Sequence, residues 1–135
     1  MSAERALAAA VRAAAMAHVD VKAALGDPAR LYDEPPLDPV FPYATLGRVE
    51  SRPADASGID ALEHVVTLHV WSRHSGRAEA VDAVAALRKA LHDTALTVAG
   101  RRLVFALVQF TDVFRASDGR TTHGVVRLRA LTEAI

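Results

Sequence analysis

Three histidines recur at intervals of five, His64, His69 and His74. Imidazole is the commonest metal ligand, so metal binding is the first chemistry this spacing suggests. The residues around them alternate, with Val66, Leu68 and Val70 on one side and Thr67, His69 and Trp71 on the other. That period of two reads as a half-buried strand. On a strand, side chains five apart point to opposite faces, so neighbouring histidines of this set cannot share an ion unless the strand bends. No His-x-x-x-His pair or facial carboxylate pattern supports them, and no metal is predicted. The absence of cysteine excludes disulfide frameworks, thiolate zinc sites and cysteine nucleophiles. Ser72 and His74 with the distant Asp112 supply the types of a hydrolytic trio. All three stand where strand ends and turns place polar groups anyway. Asp33 and Glu34 lie in a proline-rich stretch, a poor rigid support for acid–base work. No glycine-rich phosphate loop and no G-x-S-x-G elbow occurs. The sequence therefore predicts no catalytic residue, no cofactor and no enzyme.

At 135 residues, 51% of them apolar, the chain is long enough for one domain with its own core. No run approaches the ~18 apolar residues of a membrane span, and the alanine-rich start lacks the apolar core and cleavage site of a signal peptide. The expectation is a soluble, intracellular protein with no membrane partner. Sixteen basic residues balance sixteen acidic ones, so no bulk field favours nucleic acid or anionic lipid. No basic stripe of a sequence-reading DNA binder stands out. Fourteen of the basic residues are arginine, the cation favoured at protein interfaces.

The elements that must position these residues follow from pattern and punctuation. Residues 2–25 predict one helix, capped by Ser2, with Leu7, Val11, Ala14, His18, Val21 and Leu25 on its buried stripe and Gly26 as its stop. His18 reads as a core-edge residue of that stripe. Residues 30–42 hold four of the six prolines and predict an extended loop or contact arm outside any central sheet. Residues 41–52 predict a strand, with Gly47 as a bulge or close-approach point. It forms a long-tipped antiparallel hairpin with the strand over residues 63–73. Residues 77–94 predict a second helix capped by Ser75, with Ala80, Val81, Val84, Leu87 and Leu91 as its apolar stripe. Residues 103–115 predict a strand whose continuous apolar start suggests burial on both faces or a central place in the sheet. Asp118-Gly119 turns the chain into a last strand over residues 121–131, with Val126 and Leu128 on one face and Arg127 and Arg129 on the other. The order helix, two strands, helix, two strands predicts an α+β fold: an antiparallel four-stranded sheet with two helices on one face.

Phe41-Pro42-Tyr43 leading into a strand, the His69-Val70-Trp71-Ser72 strand end with Gly76 before a helix, and the closing run Gly124-Val125-Val126-Arg127-Leu128-Arg129 resemble phage tail terminator, or tail-completion, proteins. These belong to long-tailed phages and phage-derived gene transfer agents. The resemblance spans roughly residues 7–131, and the motifs are short but agree in spacing and context. It implies a single tail-terminator-like domain over residues 1–135. It further implies a structural virion subunit in a homo-hexameric ring on the head-proximal end of the tail tube. The implied partners are other copies of the chain, the tail tube protein and a head-completion or stopper protein, with DNA passing through the lumen without sequence-specific binding. The implied location is the head–tail junction of the particle, assembled in the bacterial cytoplasm. No catalytic residue is carried over, and the stretches at residues 33–39 and 53–60 match no family pattern.

Trp71, Arg73 and His74 at the strand end, with Arg127 and Arg129 on the wet face of the last strand, are the candidate interface residues. Two other readings stay open on the residues: a neighbouring connector such as a stopper, and a small-ligand-binding α+β domain, which a deep pocket with convergent polar groups would favour.

Overall fold

A computed structural model describes all residues, 1–135. Three helices and five strands follow one another: α1 (Ala3–Ala17), α2 (Val19–Leu25), β1 (Leu31–Tyr32), β2 (Tyr43–Pro53), β3 (Ala61–Ser72), α3 (Ala78–Leu91), β4 (Arg101–Arg115) and β5 (Thr122–Ala134). The strands form one sheet in the order β1-β2-β3-β5-β4. β1 runs parallel to β2, and every other pair is antiparallel.

This mixed five-stranded sheet with three helices replaces the expected four antiparallel strands and two helices. The extra strand is Leu31–Tyr32, which adds to the start of β2 at the head of the proline-rich stretch. Two residues show no period, so its existence depends on the pairing alone. The extra helix arises because the predicted single helix breaks at His18. Its ψ of 132° leaves the helical region, its N–H still donates to Ala15, and its Nδ1 accepts from the Asp20 N–H at 3.1 Å. One residue thus ends α1 and caps α2, where a core-edge histidine was expected.

Two expectations at helix ends hold. The Ser2 hydroxyl caps α1 by accepting from the Arg5 N–H, with Glu4 in the first turn where the helix dipole favours an acid. Gly26 ends α2 at φ 95°, a backbone state that a Cβ disfavours. Ser75 does not cap α3: Arg77 occupies that position without a side-chain bond. The tie falls to Ser72 instead, whose hydroxyl donates to Glu79 Oε1 at 2.7 Å and joins the end of β3 to the first turn of α3.

β3 is the middle strand, and its alternation is as the sequence implies. Val66, Leu68 and Val70 are fully buried beneath the helices, with Val126, Leu128 and Ala130 of β5 beside them. Leu7, Val11, Val21, Leu25, Leu87 and Leu91 close that core from above. Alanine-rich helix faces allow this close approach, and Gly124 makes room on the sheet side. A Cβ there would stand 2.5 Å from Val84 Cγ2 and 3.1 Å from Val70 Cβ. β4, expected near the centre of the sheet, is an edge strand, and Ala106 is its one fully buried residue. Register shifts between Leu103 and Phe105 and between Val108 and Phe110 bulge it, so its apolar run serves two faces in turn. No helix is long and apolar enough to cross a membrane.

Candidate functional site

All three helices lie on one side of the sheet, leaving the opposite face without a cover. On that face the register aligns Tyr43, Trp71, His123 and Phe114 in one row across β2, β3, β5 and β4. Next to it, Thr45 and His69 align, and further along Arg127 stands beside Phe110 and Arg129 beside Leu107. This face is half-buried and aromatic rather than uniformly charged.

Its centre is a stack. The Trp71 ring lies 4.1 Å from His123 at an interplanar angle of 16°, and Trp71 Nε1 donates to Thr45 Oγ1 at 3.2 Å. His69 Nδ1 and His123 Nε2 are 2.8 Å apart, so one ring nitrogen donates and the other accepts. Phe114 packs on the far side of His123, its centroid 4.9 Å away. Gly47 permits the arrangement, since a Cβ there would meet His69 Nε2 at 2.6 Å and the Thr67 carbonyl at 2.9 Å. The close-approach role expected of Gly47 is therefore met at His69, within the register shift of β2. Burial lowers the pKa of His69, helped by the Arg127 charge. Burial also lowers that of His123, helped by His69 and opposed by Asp112. Both shifts favour the neutral rings, and the hydrogen bond between them needs only that one of the two nitrogens be unprotonated.

The five candidate interface residues do not form one patch. Trp71 belongs to the stack. Arg127 and Arg129 share the open face of β5: Arg127 lies over the Phe110 ring at 4.7 Å, and Arg129 over Phe105 at 5.1 Å. Arg129 Nε also donates to Glu63 Oε1 at 2.7 Å, and this bond first, then Arg52, holds the Glu63 carboxyl below its ordinary pKa. Arg73 reaches past the strand end, with its guanidinium 4.6 Å above Phe41 and Nε donating to Thr121 Oγ1 at 3.3 Å. His74 sits apart on an exposed turn, with Nδ1 beside the Ser75 carbonyl.

His64 is fully buried on the helix side, His69 is on the open face and His74 lies beyond the strand, so the three point in different directions. No group of three or more His, Cys, Asp or Glu converges closely enough to hold a metal. Ser72 is bonded to Glu79 and to the His74 backbone N–H, not to an imidazole. The serine–imidazole contact that does form is Ser51 Oγ with His64 Nδ1 at 2.7 Å, while His64 Nε2 meets Thr132 Oγ1 at 2.8 Å. It spans β2, β3 and β5 inside the sheet and ties three strands together. Near the middle of the open face lies a depression of about 600 Å³ lined by Arg48, Glu50, Thr67, His69, Gln109 and Arg127. It carries charges of both signs.

Sequence reasoning missed His123, Phe110 and Phe114. His123 is 54 residues from His69, and only the β3–β5 register brings them together. The odd-numbered positions of β5 that flagged Arg127 and Arg129 also contain His123, so the same alternation carried a signal for it.

Comparison with known proteins agrees with this architecture. A family model described as tail completion protein gp17 matches residues 9–133. A curated relative, the tail completion protein gp17 of Bacillus phage SPP1, is 28% identical over 97 residues, covering 72% of each chain. A solved chain from the virion of a native gene transfer agent particle superposes with a TM-score of 0.90 at 25% identity, over 98% of each chain. The match of the family model across nearly the whole sequence places the chain in the tail completion protein gp17 family.

Proposed function

We propose that this chain is a particle subunit that forms a ring on the head-proximal end of a tail tube. The ring ends polymerisation of the tube and presents a surface to the head-completion protein, while DNA passes through its lumen without sequence-specific contact. The observation that carries this reading is the family match over residues 9–133, with a fold shared end to end with a chain of a gene transfer agent particle. The uncovered face supports it. A monomer ordinarily blunts its edges and covers its aromatics, whereas Phe110 and Phe114 here are each 41% exposed on an edge strand. In a heterologous ring each copy presents two different surfaces, and closure sets the number of copies.

Trp71, Arg73, His74, Arg127 and Arg129 are the proposed interface residues. Arg127 and Arg129 are the most direct to test, because each places a guanidinium over an aromatic ring on the open face. Changing both to glutamate lowers the oligomer mass, or abolishes capture by tube ends; unchanged mass and tail length remove them from the interface. The functional reading itself is tested by electron microscopy of particles lacking this protein. Overlong or headless tails are expected, and tails of normal length joined to heads overturn it.

A further inference from the structure

We infer that the proline arm of one copy, residues 33–42, docks on the Phe110–Phe114 end of β4 in the next copy. This rests on the ring reading and specifies one of its contacts.

The arm is fixed at its base and bare at its tip. Arg30 Nε donates to the Pro42 carbonyl at 2.9 Å, Ala44 N–H donates to Arg30 at 2.8 Å, and Phe41 packs edge-on against Tyr43 at 5.1 Å. Beyond these ties, residues 33–38 are all exposed. Leu37 is fully exposed, the one exposed leucine of the chain, and Val40 is exposed near it. Nothing in the monomer explains an apolar side chain held out on a stiff support. Pro35, Pro36 and Pro39 restrict the tip in advance, so little conformational entropy is lost when it docks. Proline-rich extended segments are recognised by aromatic-lined surfaces for this reason.

The receiving stretch has the complementary chemistry. Phe110 and Phe114 stand four residues apart on the open side of an edge strand. Asp33, Glu34 and Asp38 give the arm three acids, and it has no cation. Arg127, over Phe110, has no carboxylate partner. Asp112 is the one acid between the two phenylalanines, and Arg115 alternates to the helix side of the strand, so the arm's carboxylates must seat at the Phe110 end of the stretch, on Arg127. Position also fits. The arm leaves β1 at one edge of the sheet and β4 is the opposite edge, so the two surfaces repeat head to tail in successive copies.

The native chain has no cysteine, so any disulfide is the engineered one. Under oxidising conditions, an equimolar mixture of Leu37→Cys and Phe114→Cys chains gives disulfide dimers only. The doubly substituted chain gives a ladder that ends at the ring size. In parallel, Leu37→Asp leaves the circular dichroism and melting temperature unchanged, because the side chain touches nothing in the monomer. It raises the concentration needed for assembly, alone or on tube ends, about tenfold or more. Wild-type assembly without cross-linking, or with unaltered Leu37→Asp assembly, overturns the arm contact and leaves the ring reading standing. Normal rings of Leu37→Asp that fail to bind tube ends assign the arm to the tube protein and also overturn it. A wild-type chain that stays monomeric on tube ends removes both.

Discussion

The two faces of β5 carry different kinds of residue on one backbone. Toward the helices, Gly124, Val126, Leu128, Ala130 and Thr132 are buried and contact a closed core. Toward the open side, His123, Arg127 and Arg129 make stacked, charge-assisted contacts that are still partly wet. The first face determines whether the chain folds. The second is built from longer or aromatic side chains that no helix covers, which leaves it free for contact with another molecule. Substitutions on the two faces should therefore separate stability from assembly.

The largest effect is expected from truncating the covered face. Leu128→Ala removes a fully buried side chain from the middle of the core and should lower the unfolding free energy by about 2–5 kcal/mol. Arg127→Ala, one residue earlier and exposed, should change it by less than about 0.5 kcal/mol while weakening assembly. Urea denaturation of the two variants side by side measures both values. Equal losses would mean that the open face is part of the folding core.

Those two faces were also unequally legible in the sequence. The covered face follows from alternation alone: Val66, Leu68 and Val70 of β3, then Val126 and Leu128 of β5, fall at period two and are buried. Where alternation was interrupted, reading failed. β4 carries apolar residues on both faces because two register shifts reset its phase, so an edge strand resembled a central one. β1 is too short to have a period, and the break between α1 and α2 has no glycine or proline to announce it, only a histidine that caps the second helix. The open face needed register rather than pattern. Trp71 was visible as the sole tryptophan, but its stacking partner His123 is set by pairing across the sheet.

Two glycines, one under each face, sharpen the comparison. Gly124→Ala drives a methyl against Val84 and the Val70 Cβ, atoms of a closed core with little room to yield. Gly47→Ala meets the His69 ring and the Thr67 carbonyl on the open side. Each should destabilise by about 1–3 kcal/mol through overpacking. They differ in readout: Gly47→Ala should also displace His69 from His123, seen as altered imidazole shifts in NMR spectra, whereas Gly124→Ala should leave that pair intact. Unchanged His69 and His123 signals in Gly47→Ala would show that the bulge absorbs the methyl.

Acid titration probes the same division through histidine. His64 on the covered face and His69 and His123 on the open face all have pKa values lowered in the folded state, chiefly by burial. A histidine held neutral by the fold binds fewer protons folded than unfolded below pH ~6.5, so stability rises with pH through that region. Their contribution is fully present above the unfolded-state pKa and declines as pH falls through 6.5 toward the lowered folded values. Stability measured from pH 7.5 to 5 should therefore decrease. The decrease should flatten more in His64→Gln than in His123→Gln, because burial lowers both and His64 is fully buried while His123 is only partly so. The reverse order would place the main proton-linked site on the open face.

The smallest effect should come from the exposed ion pair that lines the depression on the open face. Arg48 Nη1 lies 3.1 Å from Glu50 Oε1, but both side chains are more than half exposed and two residues apart on one strand. Water screens such a pair, and holding two long side chains together costs rotamer freedom, so Arg48→Ala should alter stability by less than about 0.5 kcal/mol. Its effect on assembly should be equally slight if the receiving surface is centred on Phe110 and Phe114 of β4, because β2 lies on the far side of β3 and β5. Arg127→Ala in the same assay supplies the reference. Should Arg48→Ala weaken assembly as much as Arg127→Ala while folding normally, the contact surface must extend across the depression those two arginines share, and its centre moves from the β4 edge to the middle of the sheet.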